Sequence, residues 1–237
     1  MPGPMSRTFD DTRRWARLGT ELLVRAADLD DAGLDAPSAL PGWSRKHVVA
    51  HVAANADALG NLVHWAATGE PTPMYASPEE RAAGIENGAR LPAAELTAWL
   101  RRSAEALAQG MDALGDEQWR VPVVTAQGRT VPATELPWMR SREVCVHAVD
   151  LATGASFADL PAGFLAALCD DVVGKRSTAP GPPLVLTAAG HRWELPGEDE
   201  PAAIDGELHE IAAYLTGRSG GPAAADGAPA PALAPWL

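Results

Sequence analysis

Hydrophobic residues recur at helical spacing through most of the first two thirds of the chain. Between Thr8 and about Asp31, residues Trp15, Leu18, Leu22, Leu23 and Val24 follow one face, with Asp10 and Asp11 at the positive amino end; the pattern predicts a first helix. A proline-rich turn around Pro37 and Pro41 precedes Ser44, an N-cap residue for a second helix running to about Ala67, where Gly69 and Pro71 stop it. The stretch from Glu70 to Arg90 carries Pro71, Pro73 and Pro78 and reads as one long irregular loop, a length usually kept for function. A third helix is expected from near Pro92 to Leu114 on Leu96, Trp99, Leu100 and Leu107, weakened by Gly110. A fourth is expected from about Thr134 to Gly154, a natural left-handed cap. Four amphipathic helices predict a bundle, whose metal and ligand sites are built from facing helices.

Beyond Phe157 the pattern changes. A helix from about Pro161 to Lys175 is followed by an apolar strand Leu184 to Ala188, a turn at Gly190 and a second strand through Trp193 to Leu195, which read together as a hairpin. A last helix from about Asp205 to Leu215 closes at Gly217. The expected fold class is therefore α+β: a four-helix bundle over 1–155, a small α+β domain over 156–219, and a flexible Pro/Ala-rich tail over 220–237. No internal repeat is evident, and no Gly-rich phosphate loop or dinucleotide fingerprint follows an expected strand.

At 237 residues the chain can bury a core without disulfides, and it has only two cysteines, Cys145 and Cys169. No apolar leader resembles a signal peptide and no apolar run would span a bilayer, so a cytoplasmic protein with reduced thiols is expected. The net charge of −12, from 31 acidic and 19 basic residues, argues against nucleic-acid and anionic-membrane partners. A monomer acting on a small molecule is the expectation.

Glu143 and His147 lie four apart, so a helix presents a carboxylate and an imidazole on one face, where both can close on a divalent metal. His51 on the second helix is a third candidate ligand. Three protein ligands leave a position open, which marks a catalytic rather than a structural zinc site. His47, one turn before His51, could take its place, and spacing alone leaves both open. Asn55 shares the face of His51 and is a candidate substrate or supporting contact, whereas Asp57 reads as a solvated or helix-pairing charge. Cys145 falls two residues from each of Glu143 and His147, off their face, and reads with Cys169 as a buried apolar residue. His64, His191 and His209 have no partners at ligand spacing.

Two stretches carry a resemblance. LPGWSRKHVVAHVAANADALGNLVHWAATGEPTPMY (residues 40–75) and LPWMRSREVCVHAVDLATG (residues 136–154) resemble the signature segments of the mycothiol-dependent maleylpyruvate isomerase family, within the DinB-like metal-binding helical bundles. The likeness extends to AAYLTGR (residues 212–218) and to the ending Ala234-Pro235-Trp236-Leu237, and so covers nearly the whole chain. It implies a DinB-like bundle in which His51, Glu143 and His147 bind zinc or another divalent metal, and an arginine important for activity at Arg218. It also implies the cofactor mycothiol, a low-molecular-weight thiol, and the diacid substrate maleylpyruvate, isomerised to fumarylpyruvate in gentisate-type aromatic catabolism. For such a diacid, Arg218 is the expected catalytic and carboxylate-anchoring residue, with Asn55, Tyr75 and Arg81 as further substrate contacts and Met74 beside Tyr75 in the pocket wall. Two alternatives share these residues: a mycothiol S-transferase acting on electrophiles, and a zinc-binding interaction protein without catalysis.

Overall fold

The computed structural model describes residues 7–236. These residues divide into two compact units, one of residues 12–155 and one of residues 156–236 together with 7–11.

The first unit is built from six helices, α1 (Phe9–Ala26), α2 (Asp31–Asp35), α3 (Arg45–Thr68), α4 (Pro78–Gly88), α5 (Ala93–Asp112) and α6 (Leu136–Asp150), with a two-stranded antiparallel ribbon of β1 (Pro122–Val124) and β2 (Thr130–Pro132) before α6. Helix α3 packs against α4, α5 and α6 and is apolar on several sides, with Val48, Val49, Val52, Leu59 and Leu62 fully buried, as suits a central helix. It starts at Ser44, whose N–H and hydroxyl both meet His47 Nδ1, at 3.2 and 2.8 Å, and it stops at Gly69 in the left-handed region (φ 79°). Helix α1 lies so close to α6 that a Cβ on Gly19 would stand 2.5 Å from Cys145 Sγ; only glycine permits that approach. Gly88 plays the same part for α4, where a Cβ would stand 2.7 Å from the Cβ of Ala50.

Three features of this unit differ from the sequence expectation. The supposed loop 70–90 contains α4, capped by Ser77, whose hydroxyl accepts from the N–H of Glu80, and started by Pro78 at its first turn. Helix α6 ends at Asp150 instead of Gly154, because Ala152 turns left-handed (φ 53°) and the Arg45 guanidinium takes the carbonyls of Leu151 and Ala152 at 2.7 and 2.9 Å. His147 therefore sits in the last turn of α6 and not in its interior. The ribbon β1–β2 and the short helix α2 were not expected.

The second unit holds α7 (Ala162–Arg176), β3 (Leu184–Ala188), β4 (His191–Leu195), β5 (Ala202–Asp205) and α8 (Leu208–Leu215). The expected hairpin pairs Leu184 with Leu195 through Ala188 with His191 across the turn Ala189-Gly190, in which both residues have positive φ. An unexpected third strand, β5, runs parallel to β3 and ends at Asp205, where the last helix was expected to start, giving the order β4-β3-β5. Leu184, Leu186 and Ala188 of β3 are buried, and α8 packs on β3 while α7 packs on α8 and β4. Trp193 Nε1 donates to Asp170 across that contact at 2.7 Å. The stretch read as a flexible tail contacts this unit: Ala225 N–H donates to Ala203 O at 2.8 Å, Tyr214 donates to Pro231 O at 2.6 Å, and Arg176 donates to Ala234 O at 2.9 Å.

Candidate metal centre

The seam between α3 and α6 brings His51, Glu143 and His147 together, with one ligand atom from each lying within 4.8 Å of the others. His51 Nε2 is 3.0 Å and His147 Nε2 3.4 Å from the same oxygen, Glu143 Oε2, and the two imidazoles stand at 90° with centroids 4.8 Å apart. Ligands of a tetrahedral zinc ion at 2.0–2.2 Å lie roughly 3.3 to 3.6 Å from one another, so this set needs only small shifts to close on a divalent cation. Borderline nitrogen donors with one carboxylate suit zinc chemistry, and Glu143 and His147 keep some exposure, which leaves a way in.

Charges around the set fit this reading. Burial alone would raise the Glu143 carboxyl, but hydrogen bonds from His147 and His51 outweigh it and hold the group well below its usual range, as a carboxylate. Burial lowers His51, against the pull of Glu143, so its ring is neutral at pH 7. Burial also acts on His147, but hydrogen bonds to Asp150 and Glu143 and their charges prevail and push it up to about 9. The difference between the histidines comes from Asp150, which is fully buried and meets His147 Nδ1 at 2.8 Å. That contact fixes the ring and aims Nε2 at Glu143, the usual arrangement behind a metal-binding histidine.

His47 is not in the set. Its Nδ1 is spent on the Ser44 cap, its Nε2 faces Glu86 at 3.7 Å, and its ring stacks on Trp43. Asn55 is one turn from His51 but buried, and its Oδ1 accepts from Arg140 Nη1 at 3.0 Å. Asp57 accepts from Trp99 Nε1 at 2.8 Å and ties α3 to α5. Tyr75 and Arg81 stand near the ligands: Arg81 lies 5.9 Å over the Tyr75 ring and its Nη2 reaches His51 Nδ1 at 3.5 Å, so α4 places a cation at the edge of the set. Burial raises the Tyr75 phenol above its ordinary value, so it stays protonated. Met74 is buried beside it in sequence.

Arg218 belongs to the second unit. A Schellman turn closes α8, with Gly217 N–H on Tyr214 O and Arg218 N–H on Ala213 O, and the partly exposed guanidinium donates to Thr216 O at 2.7 Å. Both cysteines are buried, and burial pushes each thiol up to about 12.

Three residues escaped the sequence reading. Asp150 stands three residues after His147, a helical spacing that could have flagged it. Arg140 stands three before Glu143 and is 2% exposed. Trp43 packs edge-on against His51 with centroids 5.8 Å apart, and nothing in its local sequence signals this.

Fold and site together define a helical-bundle protein with a candidate two-histidine, one-carboxylate metal centre. The family model described as mycothiol maleylpyruvate isomerase N-terminal domain matches residues 15–152. A crystal structure of the mycothiol-dependent maleylpyruvate isomerase matches with a TM-score of 0.89 at 39% identity, covering 95% of this chain and 96% of the other. A histidine-to-alanine mutant of that enzyme matches equally well in fold, with a TM-score of 0.89, 38% identity and the same coverage. No curated protein matches by sequence. The chain belongs to the mycothiol-dependent maleylpyruvate isomerase family.

Proposed function

We propose that this protein is a zinc- and mycothiol-dependent isomerase that converts maleylpyruvate to fumarylpyruvate. The observation that carries the reading is the convergence of His51, Glu143 and His147 in a chain that follows a structure named for this activity along 95% of its length. The same reading makes it a cytoplasmic monomer in aromatic catabolism. The net charge of −12 disfavours nucleic-acid and anionic-membrane partners, and among the described residues no helix is long and apolar enough to cross a membrane.

A cis/trans change needs the double bond to lose its double-bond character for a moment. Addition of a thiolate sulfur to one alkene carbon forms a C–S bond and moves the electron pair into the conjugated diketo acid as an enolate. The former double bond rotates as a single bond, and return of the pair expels the thiolate unchanged. His51, Glu143 and His147 would hold a divalent metal, which would supply the Lewis acidity needed to ionise the thiol at neutral pH. The remaining work falls to the chain. Asp150 holds the ring of His147 in place. A histidine that offers Nε2 as a ligand carries its proton on Nδ1, which turns that atom of His51 from acceptor to donor. Arg81 then has Nη2 available for a substrate carboxylate, beside the Tyr75 hydroxyl. Arg218 is proposed as the anchor for the second carboxylate, through the planar fork that a lysine lacks.

The test is direct. Purified protein with zinc, mycothiol and maleylpyruvate is expected to yield fumarylpyruvate with the thiol regenerated; a stable thioether would make it an S-transferase, and no turnover would leave a metal-binding protein. His51→Ala is expected to lose metal and turnover together, while His47→Ala keeps metal. Stoichiometric zinc in His51→Ala by elemental analysis would overturn the ligand assignment.

A further inference from the structure

The two histidines of the candidate centre are held differently. His147 Nδ1 meets the buried Asp150 carboxylate at 2.8 Å, a contact that leaves Nε2 available to a metal. His51 has its polar contacts at Glu143 Oε2, 3.0 Å from Nε2, and at Arg81 Nη2, 3.5 Å from Nδ1. Neither is compatible with a metal on Nε2. The hydrogen bond to Glu143 is given up when both atoms become ligands, and the proton then carried by Nδ1 faces a donor in Arg81. The aromatic contacts of the ring depend on no proton. It stands edge-on to His147, itself in the set, and to Trp43, outside the set, with centroids 4.8 and 5.8 Å away.

Trp43 is built into a closed turn. It lies one residue before the Ser44 cap of α3, and its ring also stacks on His47 with centroids 6.0 Å apart. Ser38 donates to Trp43 O from both its N–H and its hydroxyl, at 3.0 and 2.8 Å, and Trp43 N–H donates to Leu40 O at 3.1 Å. The same turn is hooked to α6, since Ala39 N–H donates to Asp150 O at 2.8 Å. Asp150 thus serves both histidines: its carboxylate holds His147, and its carbonyl anchors the turn that carries Trp43 to His51.

We infer that Trp43 is a positioning residue for the metal centre, an aromatic wall that fixes the His51 ring as the Asp150 carboxylate fixes that of His147. This rests on His51 being a ligand. An apolar residue just before a helix cap can also act only as a staple for the helix start, a part that leucine plays as well as tryptophan. Leucine has no flat ring to set against an imidazole.

The test compares Trp43→Phe and Trp43→Leu with the unsubstituted full chain. Zinc affinity is measured by competition with a chromophoric chelator above about pH 9, where no proton competes for His147. It is expected to fall about tenfold in Trp43→Leu and to stay within about threefold in Trp43→Phe. Cobalt(II) is expected to give the same visible absorption bands in the unsubstituted protein and in Trp43→Phe, and shifted bands in Trp43→Leu. In the unsubstituted chain loaded with zinc, nuclear Overhauser contacts between the Trp43 indole and the His51 ring are expected, a readout that requires no variant to fold. A folded Trp43→Leu within about threefold of the unsubstituted affinity, equal losses for phenylalanine and leucine, unchanged cobalt bands in Trp43→Leu, or absence of the Overhauser contacts would each overturn the proposal. His51→Ala tells this failure from that of the ligand assignment. If it keeps stoichiometric zinc, the assignment falls; if it loses zinc while Trp43→Leu keeps full affinity, only the role of Trp43 falls.

Discussion

Replacing Asp150 by asparagine separates two things this carboxylate does to His147. It accepts at 2.8 Å from Nδ1, which fixes the ring, and its charge helps to raise His147 to about 9. A divalent ion needs the neutral imidazole, so below about pH 9 it must displace a proton from His147. Affinity in the unsubstituted protein should therefore fall about tenfold per pH unit on acidification, or about 100-fold from pH 9 to pH 7. Asparagine keeps an acceptor oxygen for Nδ1–H but removes the charge, so His147 drops toward the ordinary histidine value. Above pH 9, where no proton competes, the variant should show the full loss of a supporting contact, about 10- to 100-fold in metal affinity. At pH 7 it no longer contends with the proton, and the gap should narrow. Asp150→Ala, which also leaves Nδ1–H buried without an acceptor, should lie below Asp150→Asn at high pH by about 1–3 kcal/mol. Competition against a chromophoric chelator across this range measures all three proteins. A gap that stays constant or widens toward pH 7 would refute the argument, as would equal losses for asparagine and alanine at high pH.

Three further outcomes follow from the geometry. The double variant Cys145→Ala, Cys169→Ala should keep its mycothiol-dependent turnover per folded molecule, since both thiols are buried and pushed up to about 12; loss of turnover with metal content intact would make an internal thiol the nucleophile. Arg218→Ala should keep metal content and melting temperature while kcat/KM for maleylpyruvate falls by about 1.5–3 kcal/mol, and Arg218→Lys should restore only part of it; unchanged efficiency in Arg218→Ala removes this residue from the reaction. Gly19→Ala should destabilise the first unit by about 1–3 kcal/mol in denaturant unfolding, because its Cβ would meet Cys145 Sγ and Val144 Cγ2 at 2.5 and 2.6 Å; a change within ~0.5 kcal/mol would show that α1 and α6 are not so closely packed.

The long helices α1, α3, α5 and α6 were legible because each has an apolar stripe or a strong cap. Helix α4 was not: PEERAAGIENG buries only Ile85 and Gly88, too little for a periodic signal, and it is held by the Ser77 cap and by close approach at Gly88. Strand β5 buries only Ile204 among its four residues, and its place depends on parallel pairing with β3, which no local pattern encodes. At the site, spacing linked Glu143 with His147 but could not choose between His47 and His51. The structure brings His51 to Glu143, while Ser44 engages His47 as the cap of the same helix.

Two of the residues that escaped notice, Arg140 and Asp150, nevertheless follow a rule that a sequence can show. Helix α6 buries Leu136, Trp138, Val144, Cys145 and Val146, so it has little surface on which to place a charge. Yet it carries Arg140, Glu143, His147 and Asp150, at steps of three, four and three, which fall on one face. Charged groups on a largely buried helix must find partners, and the facing helix α3 offers its own pair one turn apart, His51 and Asn55. The contacts run along this seam in order: Asn55 with Arg140, His51 with Glu143, Glu143 with His147, and His147 with Asp150. Only Glu143 and His147 have the four-residue ligand spacing that draws attention. Arg140 and Asp150 flank them at three-residue steps, and the polar stripe, not the ligand motif, is the signal that contains all four. The stripe also explains why a substitution at its Asp150 end should reach the metal ligands: the buried Asp150 carboxylate holds the ring of His147, and His147 in turn meets Glu143.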